Sequence, residues 1–153
     1  MSKARSARAR RHLGAAGSAA LEFGLCAPLL LILLTGVVEI GMAMYGAMLV
    51  QNAAEAGMVH AAKHGWDQPG ITAAVVNAGG SKAITASPAP TQFCACPSAT
   101  SLVTTSCGVT CPDGSAPGQY IRINAALPRQ TILPFPALPL PSTLTSQSIL
   151  RLS

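Results

Sequence analysis

The chain has 153 residues and a formal net charge of +5 at pH 7, a length that suits one small domain rather than two. The charge is unevenly placed, because half of the ten basic residues lie in the first eleven positions: Lys3, Arg5, Arg8, Arg10 and Arg11. From Ser18 onward, five basic and five acidic residues cancel. A basic arm can bind nucleic acid, but the rest of the chain has no basic patch with interleaved aromatic residues, so nucleic acid is not an expected partner.

A long apolar segment follows the basic head. Residues 23–38 carry no charge, Glu39 interrupts the segment, and residues 40–50 are again uncharged. The first part rises about 24 Å as a helix, slightly less than the ~30 Å hydrocarbon core of a bilayer, whereas the whole segment is long enough to span it. The basic head predicts a cytoplasmic N-terminus, with everything after Val50 on the other side of the membrane.

The helix is expected to continue past the apolar segment and to stop at Gly65, a length of about forty residues that exceeds the usual helix of a globular domain. Pro28 lies inside it and predicts a kink, which membrane helices tolerate. Small residues recur every four positions at Ala53, Gly57 and Ala61, a stripe on which another element can pack closely. Glu39 is predicted either at the far membrane interface or in a contact with another helix.

The segment after this helix predicts a small α+β domain. A short helix is expected in ITAAVVNAGG, ended by Gly79 and Gly80, and strands are expected in TQFCACP, QYIRINAAL and STLTSQSIL. The proline-rich LPFPALPLP cannot form a regular ladder and is predicted as an ordered loop or a polyproline II turn. The expected fold is therefore a long N-terminal transmembrane helix that continues into a small exterior domain with a short antiparallel sheet.

Four of the five cysteines lie in this exterior segment, as Cys94-x-Cys96 and Cys107-x3-Cys111. Outside the cytoplasm they predict two disulfides that staple a small core, and the sequence leaves all three pairings open. A zinc site made of the four cysteines is the alternative, which the tight Cys-x-Cys spacing and the compartment disfavour. Cys26 lies inside the apolar run and is predicted to act as a small hydrophobic residue.

The sequence contains no recognisable catalytic set. His60 and His64 have the spacing of two ligands on one helix face, but Ala61 stands where a zinc protease has glutamate, so solvent-facing histidines are predicted. Asp67 and Asp113 have Gly or Pro nearby and are interpreted as turn residues. We therefore predict no enzyme activity, no cofactor and no metal.

Glu22, at the threshold of the apolar run, distinguishes between N-terminal signals. A signal peptidase substrate has an apolar run of about 7–15 residues before its cleavage site, and the run here is longer. A lipoprotein site has a small residue directly before its cysteine, whereas Leu25 precedes Cys26 here. The stretch GSAALEFGLCAPLLLILLTGVVEIG instead places a glycine, four small or apolar residues, glutamate and an aromatic residue before the run. It resembles the cleavage site of type IV prepilins and, more closely, the start of TadE-like proteins of the tight-adherence (Flp) pilus system, which have the same Glu-Phe pair, an early Pro and a second Glu before a Gly.

The resemblance implies a non-enzymatic minor pilin or pseudopilin, a single-pass protein of the bacterial inner membrane. A prepilin peptidase would cut between Gly17 and Ser18, and Glu22 and Phe23 would act in assembly with other pilin-like subunits. The cut frees the Ser18 amine at the edge of an apolar helix, where an unpaired charge is costly and the Glu22 carboxylate of a neighbouring subunit would be its counterion.

The implied organisation has four parts. Residues 1–17 form a basic cytoplasmic leader, 18–50 a transmembrane helix in membrane lipid, 51–65 an amphipathic extension of that helix and 66–153 the exterior domain.

Two alternatives stay open. An uncleaved single-span envelope protein, whose exterior domain binds a ligand or partner, would keep its basic head, and Glu22 would only mark where the helix enters lipid. A fully secreted disulfide protein would need a cut near residues 43–47.

Overall fold

The computed structural model describes residues 4–80, 82–131 and 140–152, with side chains described from Gly17 onward. Within these residues the elements are α1 Ala4–His64, α2 Gln68–Ala78, β1 Thr91–Pro97, β2 Leu102–Thr105, β3 Gly118–Pro128 and β4 Thr143–Arg151. The chain divides into two compact units, Met1–Gly41 and Met42–Ser153. The long apolar helix, the antiparallel sheet and the two disulfides confirm the predicted α+β fold.

Helix α1 is longer than predicted, at 61 residues. It begins at Ala4 because the basic head is rich in alanine and arginine, which favour helix. The basic head also contains no proline to break the helix. Its predicted end is confirmed: Gly65 has φ +74°, a left-handed conformation that glycine adopts without steric cost. The amide of Gly65 donates to the carbonyl oxygen of Ala61 at 2.9 Å.

The four strands form one antiparallel sheet in the order β2-β1-β3-β4. Three of the strands and helix α2 lie where the sequence predicted them. The sequence missed β2, a four-residue strand at the sheet edge whose side chains show no inside–outside alternation. The proline-rich segment falls mostly on residues 132–139, outside the described residues, so its predicted conformation stays a prediction.

The core of the second unit lies between one face of the sheet and the two helices. Strand β3 contributes Ile121, Ile123 and Ala125, which are fully buried and alternate with partly buried residues as predicted. Helix α1 contributes Val50, Ala53, Ala54 and Ala61, helix α2 contributes Ile71 and Val75, and the connection to β1 contributes Ile84. The small-residue stripe therefore packs within its own chain.

The stripe matters because the sheet and α2 approach the α1 backbone closely. A Cβ added to Gly57 would lie 2.6 Å from Cγ2 of Val75 and 3.0 Å from Cγ2 of Ile123. At Gly46 an added Cβ would lie 2.6 Å from Cδ1 of Leu144. Helix α1 thus runs along β3 with glycine at its tightest contacts, which confirms the predicted close packing.

The disulfides join the two cysteine clusters: Cys94 bonds to Cys107 and Cys96 bonds to Cys111. These pairs close loops of 13 and 15 residues, and in the chain-entropy model a loop of this size is worth about 3 kcal/mol. All four sulfurs are consumed, so the zinc alternative is wrong. Together the bonds fix the loop of residues 106–117 over β1 and β2.

We predict that Gly57→Ala destabilises the protein. Alanine in place of an exposed helical glycine usually stabilises by roughly 0.5–1 kcal/mol, but here the methyl group meets two core side chains and overpacking costs about 1–3 kcal/mol. Thermal unfolding of the detergent-solubilised full chain measures the effect. The control is Gly41→Ala, where an added Cβ has no atom within 4 Å; an unchanged melting temperature in Gly57→Ala would contradict this packing.

We also predict that the two disulfides differ in reducibility. Cys107 is exposed, whereas Cys94, Cys96 and Cys111 are buried, and thiol–disulfide exchange needs access to a sulfur atom. Limited reduction of the folded chain, followed by alkylation and peptide mass spectrometry, should label Cys94 and Cys107 first. Simultaneous labelling of all four cysteines would show that one opening event exposes both bonds.

Candidate functional site

The four residues singled out at the start of the apolar run lie on consecutive turns of α1. Ser18 and Glu22 are one turn apart, and the Ser18 hydroxyl donates to Oε1 of Glu22 at 3.4 Å. Both side chains are exposed, and Phe23 is 72% exposed. The structure therefore brings Ser18 and its acidic neighbour together, on a surface open to other molecules.

Gly17 leaves the backbone open beside this pair. A Cβ at Gly17 or at Gly24 would have no atom within 4 Å. A shallow groove runs along the helix here, lined by Gly17, Ala20, Leu21, Gly24 and Leu25. At Gly17 and Gly24 the helix backbone is therefore not covered by any side chain that the structure describes.

The helix surface beyond Glu22 is apolar and uncovered. Large hydrophobic side chains from Leu21 to Met48 stay exposed, among them Leu25, Leu29 and Tyr45. In the part of the chain that the structure describes, one helix is long and apolar enough to cross a membrane, at Gly17–His64. This surface, together with the family reported below, fits a single-pass membrane protein.

Two polar or reactive residues within the run differ in exposure. Glu39 is only 3% exposed, whereas Val38 and Ile40 on either side are each 43% exposed. The outer surface at this level is therefore apolar despite the carboxylate, and a contact of Glu39 with a second helix stays a prediction. Cys26 is a free, exposed cysteine, in keeping with a small side chain on the apolar surface.

The histidine prediction is half right. His64 is exposed, but the His60 side chain is only 27% exposed, and its Nε2 lies 3.6 Å from Oδ2 of Asp67. Asp67 is the N-cap residue of α2, but its side chain makes no capping hydrogen bond. Its carboxylate instead faces His60, and both side chains lie close to Gly70. The ring centroids of the two histidines are 4.6 Å apart. Among the described residues no three His, Cys, Asp or Glu side chains are arranged to hold a metal.

Asp113 is a turn residue, as predicted. Its Oδ1 accepts hydrogen bonds from the backbone amide and the hydroxyl of Ser115, at 3.0 Å and 2.8 Å. These bonds favour the charged form and lower the pKa of the exposed Asp113 carboxyl. The loop therefore carries a fixed negative charge at neutral pH.

Beside Asp113 lies a cleft of about 430 Å³ between β2 and the disulfide-bonded loop. Its lining includes Val103, Thr105, Val109 and Pro112. Sequence reasoning missed this cleft because its walls depend on the unpredicted strand β2 and on the disulfide pairing, which the sequence left open.

The sheet face opposite the helices carries an aromatic and cationic cluster that the sequence did not reveal. The rings of Phe93 and Tyr120 stack at 5.8 Å between centroids, and the Arg122 guanidinium lies 4.6 Å from the Phe93 centroid. Nε of Arg122 is buried without a hydrogen-bond partner among the described residues. The cluster forms because Phe93 on β1 pairs with Tyr120 on β3. The residue pattern of one strand does not indicate which residue it will face on another strand.

Comparison with known proteins supports the resemblance. Residues 17–58 match the family model described as TadE-like protein. No curated protein and no solved structure matches the chain. The matched segment begins at Gly17, the residue before the predicted cut, and contains Ser18, Glu22, Phe23 and Glu39. Residues 17–58 are therefore similar to TadE-like proteins, a generally non-enzymatic family associated with Tad pilus assembly.

Proposed function

We propose that the protein is a minor pilin or pseudopilin of a tight-adherence (Flp) pilus, a non-enzymatic subunit for assembly or anchoring. The observation that carries this proposal is the arrangement of Ser18 and Glu22, one turn apart on the exposed side of a helix whose following surface is apolar. An apolar surface of this kind must be covered by lipid or by other helices, because its exposure to water is costly. Packing against other pilin-like subunits covers it in an assembly.

The proposed topology follows the charges and the cysteines. Residues 1–17 act as the basic cytoplasmic leader, 18–50 as the span in the inner membrane and 51–65 as its extension. Residues 66–153 form the exterior domain, on the periplasmic side or in the pilus. The basic head supports the orientation, and the two disulfides support an oxidising compartment for the exterior domain.

A prepilin peptidase is the proposed processing partner, with its cut between Gly17 and Ser18. The cut creates a positive amine on Ser18, whose hydroxyl already lies 3.4 Å from a Glu22 carboxylate oxygen. In the dry interior of an assembly that amine costs several kcal/mol unless a carboxylate pairs with it. Glu22 of the neighbouring subunit supplies the carboxylate and sets the register of the two helices, while the exposed Phe23 ring adds apolar contact.

A second candidate function is an uncleaved single-span envelope protein whose exterior domain binds a ligand. The cleft beside Asp113 is the specific observation in its favour. In that case the basic leader stays attached, the Ser18 amine never forms and Glu22 has no counterion role.

Replacement of Glu22 separates these functions. We expect Glu22→Gln to reduce incorporation into surface pili by roughly tenfold or more, because the amine then loses its charged partner, while insertion into the membrane is unchanged. Quantitative immunoblotting of sheared pili and of membranes measures both. The matched control is Glu55→Gln, which removes an exposed helical carboxylate that accepts a hydrogen bond from Gln51 at 3.1 Å.

Two results would count against the counterion role. One is wild-type incorporation of the Glu22→Gln chain, and the other is an equal loss in the Glu55→Gln control. In either case Glu22 would be an entry-point residue, as in the uncleaved candidate.

A further inference from the structure

The cleft between β2 and the disulfide-bonded loop suits a long cationic side chain. Its walls include the apolar Val103 and Val109, which are 54% and 52% exposed, and Asp113 lies in its lining. Oδ1 of Asp113 accepts both bonds from Ser115, and neither of these bonds uses Oδ2 of the exposed carboxylate. Apolar walls with an exposed carboxylate at their edge match the methylene stem and the charged head of arginine or lysine.

The opposite edge of the same sheet presents such a side chain. Arg151 ends β4, the outermost strand on that side, and is exposed. Within the described residues it has no carboxylate partner. The other arginines near this edge are engaged: Arg122 lies on the Phe93 ring, and Nε of Arg129 donates to the carbonyl oxygen of Pro141 at 3.1 Å.

The strand register places Arg151 and the cleft at neighbouring levels along the strands. Arg151 lies opposite Tyr120 and Tyr120 lies opposite Phe93. Thr105, which lines the cleft, lies opposite Cys94, the residue after Phe93. On the opposite edge of the sheet from Arg151, the near end of the cleft is therefore about one residue away along the strand direction, and Val103, which lies opposite Cys96, is three residues away.

We propose that the cleft binds Arg151 of a second copy of this chain, so that neighbouring exterior domains associate side by side. The Arg151 stem packs between Val103 and Val109, and its guanidinium donates to Oδ2 of Asp113. The Asp113 carboxylate is charged at neutral pH, as an exposed aspartate is, and its bonds from Ser115 hold its pKa below the ordinary value. The inference deepens the proposed function and rests on it for the presence of neighbouring subunits, but it does not require cleavage after Gly17.

The contact joins opposite edges of the sheet and can therefore repeat. The cleft lies at the β2 edge and Arg151 lies at the β4 edge. A row of copies thus keeps a cleft free at one end and an arginine free at the other, so further copies can join, whereas a two-fold contact closes after two copies.

Charge reversal in the full chain tests the contact. Two differently tagged copies are expressed together, and one is isolated from detergent-solubilised membranes. Arg151→Asp and Asp113→Arg, each present in both copies, should each lower co-isolation by roughly tenfold, because like charges then face each other. The chain that carries both substitutions should recover it. No loss in the single variants, or a loss without recovery in the double variant, would overturn the proposal.

A zero-length carbodiimide crosslink identifies the two residues directly. In an Arg151→Lys chain, the amine of residue 151 should couple to Asp113 of the other copy, and peptide mass spectrometry of mixed light- and heavy-isotope chains shows whether the link is between copies. Arg129→Lys is the matched control and should not couple to Asp113. A link from residue 151 to a different protein, or a link that survives Asp113→Asn, would overturn the assignment.

The controls separate this inference from the proposed function. The N-terminus and the membrane insertion of each charge variant are measured in parallel, because they depend on residues 17–50 and not on the sheet. A correctly processed chain without the crosslink overturns the side-by-side contact alone. An unprocessed chain that still forms the crosslink contradicts the pilin function and leaves the contact intact.

Discussion

The apolar surface of α1 is the constraint on which the rest of the structure depends. Its large side chains from Leu21 to Met48 have no cover in the described chain, so lipid or other helices must provide it. A few residues later the same helix carries small residues, and Val50, Ala53 and Ala61 are buried against the sheet and α2. The same helix thus has one part whose apolar surface needs cover from outside the chain and another part whose surface is covered by the sheet and α2.

The exterior domain depends on two devices that offset its small core. Its fully buried side chains are mostly isoleucine, valine and alanine, and the glycines of α1 let the sheet approach the helix closely enough for these short side chains to meet. The disulfides restrain the loop between β2 and β3, which has no regular structure of its own. The same loop forms one wall of the cleft, so the disulfides both stabilise the fold and shape the proposed contact surface.

Local patterns predicted most of the fold, and they failed where structure depends on contacts distant in sequence. The uncharged run, Gly65 and the alternation around Ile121 each act within a few residues, so the helix, its end and β3 were predictable. Strand β2 has four residues and no buried side, and therefore no periodic signal. The disulfide pairing, the inward turn of His60 towards Asp67 and the stack of Arg122 on Phe93 depend on which elements become neighbours. At the proposed processing site the motif was local, and the structure added the proximity of Ser18 to Glu22.

The most direct test of the pilin function is to measure the N-terminus and the intact mass of the protein from native cells, with and without the prepilin peptidase. If the protein is a pilin, its chain begins at Ser18 when the peptidase is present and retains its basic head when the peptidase is absent. A chain that keeps Lys3 to Arg11 in both strains would contradict the pilin function, and it would leave an uncleaved membrane anchor with Glu22 at the edge of its span.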